Sequence, residues 1–353
     1  MSMRMERRST GSTGKWPESK PLGGRAMWQV LLVVLLLFSP SLGYGQGLPR
    51  IRAAYTSIAI QMDPIYIMKE LNLPRKHGLE AELLYIPVSS RAIQAALAGE
   101  IQFLTSAGVA NINANLAGAD FVGLTATLNT FIFKIVSKPE IKEPRALKGR
   151  KVGISRLGGV SDAALRYALD LWGLVPDKDV AILQVGGELE ELLALQNKAV
   201  DAAVLSEPVA TVAIRTGSSL LFDLSTLGVP YSMHGFGTRK SFIRDNRDIV
   251  LRFMKAYLEG IYLFKTNREL ALNVLKKYTR LDDVSVMQTA YDEYSQKYIA
   301  AVPHPSPEGI QTILVQLAKS RPQVKKFTPN DLIDPTILKE IEASGFVKRL
   351  YGN

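Results

Sequence analysis

The sequence predicts an α/β protein of two similar lobes, each a mostly parallel sheet flanked by helices, with a C-terminal helical extension. Three observations carry this. From Ile51 onward short β-type runs alternate with helical ones, the pattern of parallel sheets covered on both faces. The same order recurs about a hundred residues later, as an internal duplication would give. After Ser241 strand patterns cease and helical ones take over.

In order, Ile51–Tyr55 reads as a strand, Thr56–Asp63 as a polar loop, and Pro64 opens a helix to Leu71. His77-Gly78-Leu79 turns into the strand Glu80–Ile86. Ser89-Ser90 caps a helix that Gly99 ends. Ile101–Thr105, the helix Gly108–Leu116 and the strand Phe121–Thr127 follow. The second set begins at Lys151–Ser155, then the helix Ser161–Trp172, the strand Val180–Val185 and the helix Glu188–Asn197. Ala202–Leu205, the helix Val209–Thr216 and the strand Leu220–Asp223 complete it. Helices are expected over Arg247–Thr266, Glu269–Tyr278, Ser285–Tyr298, Pro307–Ser320 and Pro335–Ser344, as a jacket on the first lobe. The apolar stripe Val250, Phe253, Met254, Tyr257, Ile261 and Phe264 reads as core.

Two extended runs join the lobes: Asn129–Lys138 leads out of the first and Pro230–Arg239 leads back. The domain reading is 1–45 as a signal segment, 46–135 as lobe 1, 136–234 as lobe 2, and 235–353 as the rest of lobe 1. In such sheets ligands bind beyond the carboxyl ends of the strands. The equivalent loops are Thr56–Asp63 with Arg156–Ser161, Val88–Ser90 with Gly186–Glu188, and Thr105-Ser106 with Ser206-Glu207. Facing lobes would gather all six around one cleft, which is the geometry of a clamp.

Basic residues from Arg4 to Arg25 precede the apolar run Val30–Phe38, and Gly43-Tyr44-Gly45 supplies small residues at a cleavage position near Gly45. Nine apolar residues are too few to span a bilayer, so the segment reads as a secretory signal. It holds six Lys/Arg and two Asp/Glu, so of the +10 total about +6 remains on the mature chain. The remaining basic residues are scattered, against nucleic-acid binding. With no cysteine there is no disulfide, thiolate metal site or catalytic thiol. Export without an anchor predicts a soluble periplasmic protein, and a monomer is expected.

The catalytic inventory is poor. His77 and His304 read as solvent-facing, and His234 in the return crossover could reach the cleft. No His, Asp and Glu are spaced as metal ligands, no phosphate or nucleophile motif is present, and no cofactor is expected. Candidates for ligand contact are Thr56, Ser57, Asp63, Ser89, Ser90, Thr105, Ser106, Thr127 and Asn129 from the first set. Ser155, Arg156, Gly158, Gly159, Ser161, Glu207 and His234 come from the second set and its return. Each short polar residue is equally readable as a helix cap; together at strand ends they suggest a hydrogen-bonding cleft. The glycine turn after Lys151–Ser155 aims backbone N–H groups at one point, where Arg156 would add a fixed charge for a sulfonate, carboxylate or phosphate. Glu207 could be a base, hold a ligand amine or cap its own helix, and Asp63 carries the same ambiguity.

The segments Ile65–Leu79, Ala95–Phe103, Leu147–Ser161, Leu195–Pro208 and Phe253–Ile261 resemble the periplasmic substrate-binding proteins of ABC importers. The group resembled takes aliphatic sulfonates, taurine, nitrate or thiamine precursors. The resemblance implies a two-lobed type II periplasmic-binding fold that closes on a small polar or anionic ligand and is read by an inner-membrane permease. It places ligand loops at Thr56-Ser57, Ser89-Ser90, Thr105-Ser106, Ser155–Ser161 and Glu207. Gln102 stands where an aspartate is usual, and the tail beyond Thr266 matches no subgroup. Pyrimidine-forming enzymes of this fold use a cysteine-rich motif that this chain lacks. The alternatives are an enzyme using Glu207 and His234 in the cleft, and a sensory module.

Overall fold

A computed structural model describes Gly14, residues 47–86 and residues 89–352, without the side chains of Ser89 and Ser90. The signal segment (Gly14 apart), its cleavage position and Val88 lie outside the described residues. From Leu48 the chain forms one compact unit.

The elements in chain order are β1 (Arg50–Tyr55), α1 (Asp63–Glu70), α2 (Leu73–Lys76), β2 (Glu80–Tyr85), α3 (Ser89–Leu97), β3 (Phe103–Ser106), α4 (Gly108–Leu116), β4 (Phe121–Gly123), β5 (Leu128–Thr130) and β6 (Lys134–Ser137). The second set is β7 (Lys151–Ile154), α5 (Val160–Leu171), β8 (Ala181–Gln184), α6 (Glu188–Gln196), β9 (Ala202–Leu205), α7 (Val209–Arg215) and β10 (Ser219–Asp223). Then come β11 (Pro230–Arg239), α8 (Lys240–Asp245), α9 (Arg247–Thr266), α10 (Arg268–Thr279), α11 (Val284–Glu293) with a π-turn over Tyr294–Tyr298, α12 (Pro307–Ala318), α13 (Thr336–Ala343) and α14 (Phe346–Tyr351).

The duplication is written in the strand order. One sheet runs β2-β1-β3-β11-β4, with β5 paired to β11; the other runs β8-β7-β9-β6-β10. Register agrees as well: Ala53 pairs with Phe103 in the first sheet and Val152 with Ala202 in the second, both displaced by 99 residues. Leu83 beside Ala53 and Ile182 beside Val152 keep the same displacement.

Each sheet is more mixed than the sequence suggests. The parallel trios β2-β1-β3 and β8-β7-β9 are as expected. The fourth strand of each sheet, β11 or β6, is antiparallel to the trio and comes from a segment that reads as a connector. The run Asn129–Lys138 is not one extended crossover. It breaks at the buried Phe131, Ile132 and Phe133 into β5, which pairs with β11, and β6, which enters the second sheet. Both connectors are apolar and long enough to donate ladder hydrogen bonds, so pairing satisfies backbone groups that burial would otherwise leave orphaned.

Helix α9 seals the first sheet. Val250, Phe253, Met254, Tyr257, Ile261 and Phe264 are all fully buried. Phe253 stacks on Phe103 with centroids 3.9 Å apart, and Phe236 meets Phe253 and Tyr257 edge-on. Burying a side chain of this size stabilises by about 1.5–3 kcal/mol, so the stripe anchors the helical tail. The tail also reaches the second sheet's helices. Gln316 of α12 donates to the Ala163 carbonyl at 2.6 Å, Lys319 pairs with Asp170 of α5, and Arg215 of α7 pairs with Asp283.

Three smaller readings are corrected. Thr56–Asp63 is not a uniformly polar loop: Ile60–Met62 forms a 3-10 turn whose residues are buried. The strand expected over Phe121–Thr127 ends at Gly123 because Leu124 and Thr125 turn to donate to the Phe236 carbonyl. His77 is not solvent-facing; it is largely enclosed, with Nε2 2.8 Å from the Glu259 carboxylate. His304 is exposed, as expected, beside Glu342.

Candidate functional site

The hydroxyls predicted to line a cleft mostly bond within their own half of the molecule. Thr56 N–H donates to Thr105 Oγ1 and Thr56 Oγ1 to the Thr105 carbonyl, both at 3.2 Å. Ser106 Oγ donates to Asn111 at 2.7 Å. Thr127 Oγ1 lies 2.7 Å from the Tyr257 hydroxyl, inside the α9 core. Ser57 is half-buried, and its carbonyl accepts from Tyr66. Asn129 is exposed, and its Oδ1 lies where a Cβ on Gly309 of α12 would come within 2.6 Å.

In the second half, Ser155 N–H and Oγ both meet Ser161 Oγ, at 3.1 and 2.7 Å, which closes the turn from β7 into α5. Gly158, with φ of +74°, donates its N–H to Asp162 at 2.8 Å. Gly159 caps α5 in extended conformation, and Arg156 is exposed on the same turn. A cavity of about 890 Å3 opens where Leu157, Gly158, Gly159 and the outer face of α5 meet α4 and α12. Its charged lining is mixed: Asp162, Arg166, Asp170, Lys319 and Arg321. Of the predicted residues it takes only Gly158 and Gly159.

The bonding capacity left unspent lies elsewhere. Asp63, at the start of α1, is fully buried, and neither carboxylate oxygen has a hydrogen-bond partner. Burial pushes its pKa well above the carboxylate range. The buried Gln61 Oε1, just before it in the 3-10 turn, is also unpartnered. His234 is buried with both ring nitrogens unpartnered, and burial lowers its pKa to about 4.

Across the duplication, Glu188 and Glu207 stand where β8 leads into α6 and β9 into α7. The Glu188 carboxylate accepts from Ser206 N–H at 3.0 Å and from Ser206 Oγ at 2.7 Å. Burial raises its pKa, the Ser206 bonds oppose the rise, and the charge of Glu207 adds to it. Glu207 accepts from Lys134 at 2.6 Å, and its other oxygen accepts from Thr211 N–H at 3.3 Å, a weak cap on α7. Lys134, on β6, also lies 3.7 Å from Glu293. Burial disfavours its charge, but the bond to Glu207 and the charges of Glu207 and Glu293 prevail and raise its pKa. Glu293 accepts from the Tyr298 hydroxyl at 3.0 Å. Between them Tyr294 is buried at 1% exposure with its hydroxyl unpartnered. Burial first, then the charges of Glu188, Glu207 and Glu293, raise the pKa of that hydroxyl.

The sequence points to the loops carrying Glu188 and Ser206 but to neither side chain, and it misses Lys134 and Tyr294. The 99-residue register is the available signal, since it sets Glu188 opposite Ser89. Gln102 is held in a structural role, because its Oε1 accepts from Arg52 N–H and its Nε2 donates to the Gly99 carbonyl. Among the described residues, no group of three His, Asp or Glu is placed to hold a metal ion. Likewise among them, no helix is long and apolar enough to cross a membrane.

A family model described as NMT1/THI5 like matches residues 59–269, more than half of the chain. A protein of Brachyspira hyodysenteriae, named as an ABC transporter periplasmic binding protein, is 26% identical over 246 residues, covering 65% of this chain and 70% of its own. A solved structure from Bordetella bronchiseptica superposes with a TM-score of 0.72 at 19% identity, covering 86% of this chain and 98% of that one. The periplasmic aliphatic sulphonate binding protein of Escherichia coli superposes with a TM-score of 0.67 at 20% identity, covering 82% and 99%. At these identities the structural likenesses establish the fold.

Proposed function

The chain belongs to the NMT1/THI5-like family, and from that premise we propose that it is the solute-binding component of an ABC-type importer. It would work in the periplasm, take up one small polar solute, and hand it unchanged to a membrane permease. Residues 46–135 and 235–353 would form one jaw and residues 136–234 the other, with the segment 1–45 removed on export.

The observation that carries this reading is the duplicated strand order, β2-β1-β3-β11-β4 against β8-β7-β9-β6-β10. The chain passes between the two sheets twice, from β5 to β6 and from β10 to β11, so two like bodies are joined by two connections. A ligand bonded to both bodies stabilises their closed arrangement by its differential affinity for it. The Brachyspira protein and the sulphonate-binding protein, by their names, serve as periplasmic binding proteins, which supports the same role here.

The test is native mass spectrometry of protein purified from the periplasm of its host, with small-angle scattering before and after dialysis under mild denaturant. A single solute at one per chain, and a more compact particle when it is bound, are expected. Chemical conversion of the solute on incubation, or a particle unchanged by it, sinks the proposal.

A further inference from the structure

We infer that the cavity between α5 and α12 is a binding site for a molecule with an apolar, ring-sized body and one carboxylate, held by both halves of the chain at once. The site lies beside the outer face of α5 and does not depend on the capture reading above.

The walls come from both halves. Leu157, Tyr167, Pro176 and Val229 belong to the second, and Val315 of α12 to the first. Leu157 and Val315 are 51% and 57% exposed. Singly, such side chains are ordinary on a surface; lining one cavity, they form a patch that an apolar body would cover. The space is braced rather than left by loose packing. Gln316 donates to the Ala163 carbonyl at 2.6 Å and Lys319 pairs with Asp170 at 2.7 Å, so α12 is pinned to α5 beside the cavity. Its volume of about 890 Å3 lies near the top of the span of about 300–1,000 Å3 that small-molecule sites occupy. A fused ring system fits that space, whereas nitrate or acetate would fill little of it.

Charge in the lining is spent internally, with one exception. Asp162 accepts from Gly158 N–H at 2.8 Å and from Arg166 at 2.7 Å, and Arg166 also donates to Asp177 at 2.9 Å. Asp162 thereby serves the amino end of α5 itself, so an anion gains little from that turn. Asp170 and Lys319 match each other. Arg321 differs: its Nη1 donates to a neutral acceptor, Asn113 Oδ1, at 2.6 Å. Among the described residues, it is the cavity's one charged group bonded only to a neutral side chain. That bond holds an exposed guanidinium at the rim with further N–H groups left over, the planar fork that takes a carboxylate through two bonds. Apolar walls within and one cation at the rim suit an aromatic carboxylate, its ring inward and its charge outward.

The experiment is isothermal calorimetry on the full chain with β-naphthoate, its neutral counterpart β-naphthylmethanol, and acetate. Naphthoate should bind at one per chain, the alcohol about tenfold more weakly, and acetate should not displace naphthoate. Val315→Glu and Leu157→Glu each set a charge against the ring and should weaken naphthoate by about tenfold or more. Both positions are exposed, so the variants should melt with the parent. Arg321→Gln should lower naphthoate to the affinity of the alcohol and leave the alcohol unchanged. No binding of naphthoate, parental affinity in both wall variants, or displacement by equimolar acetate overturns the inference. Parental naphthoate affinity in Arg321→Gln overturns it as well, because the carboxylate would then have no counter-charge in the cavity.

Discussion

Glu188 and Ser206 are joined by two hydrogen bonds, Ser206 N–H to Oε2 at 3.0 Å and Ser206 Oγ to Oε1 at 2.7 Å. They lie 18 residues apart, in the loops that follow β8 and β9 on either side of β7, so the bonds fix the spacing of those loops as well as the carboxylate. They also oppose the rise that burial imposes on the Glu188 pKa. Ser206→Ala removes the Oγ bond and leaves the backbone one, so Glu188 becomes harder to ionise. Ser206→Ala should therefore lose about 1 kcal/mol of stability at pH 8, and the loss should shrink as the pH is lowered and Glu188 takes up a proton in both proteins. Urea unfolding across that range reads it, and a loss that does not change with pH would mean that the Oγ bond does not depend on Glu188 ionisation.

Asp63 ties stability to pH. Burial raises its folded pKa, so the folded chain holds that proton more tightly than the unfolded chain does. The associated stability is complete below the unfolded value of about 4 and is lost as the pH rises through the folded pKa. Without solute, Asp63→Asn should therefore melt on the order of 2–5 °C higher than the parent at pH 8. The two should converge at pH 4. Scanning fluorimetry across that range tests it, and parallel curves would show that Asp63 is ionised and satisfied in the folded state.

His234 acts with the opposite sign. Its folded pKa is lowered to about 4 by burial, against about 6.5 for an unperturbed histidine. The neutral ring's stability is present above the unfolded value and lost as the pH falls toward 4. A difference of this size corresponds to about 3 kcal/mol. His234→Leu should lose less stability than the parent between pH 7 and pH 4.5, measured by urea unfolding at each pH. Equal losses would mean that the ring gains a proton partner in the folded chain.

Much of the fold is legible in the residues, because it is local or periodic. The stripe on Arg247–Thr266 gives that helix its observed bounds, and the strands of the parallel trios appear within a residue or two. The roles of β6 and β11 are not legible. Their apolar runs fit a linker as well as a strand, and only partners such as Ala203 opposite Val136, or Leu104 opposite Gly237, decide between them. The candidate site divides in a similar way. Thr56, Thr105, Ser155 and Ser161 read as hydroxyls at strand ends, which they are, but each spends bonds on a neighbour from its own sheet. Nothing in a lone glutamate at a helix start separates Glu188 from an ordinary first-turn acid. Its bond to Ser206 exists only once β8 and β9 flank β7. Lys134 and Tyr294 reach that corner from positions about 160 residues apart, beyond any spacing rule.

Gly260 marks where α9 crosses the start of α1. A Cβ there would lie 2.4 Å from the Pro64 carbonyl oxygen, and the two backbones cannot separate without lifting Phe264 and Ile261 from the core. Gly260→Ala should cost on the order of 2–4 kcal/mol, read from the urea midpoint. A loss below about 0.5 kcal/mol would show that the helices slide freely.

Lys134 gives the most direct reading of the charge around the Glu188–Glu207 corner. Its ammonium is largely enclosed, bonded to Glu207 at 2.6 Å and 3.7 Å from Glu293. Breaking a buried pair from one side leaves the other charge uncompensated, a loss on the order of 3 kcal/mol. Lys134→Met, which keeps the length and removes the charge, should therefore lower the melting temperature markedly at pH 8. It should lower it less at pH 5, where the abandoned carboxylates can take up protons. Melting curves at the two pH values read it, and an equal loss at both would mean that the abandoned carboxylates stay ionised across that range.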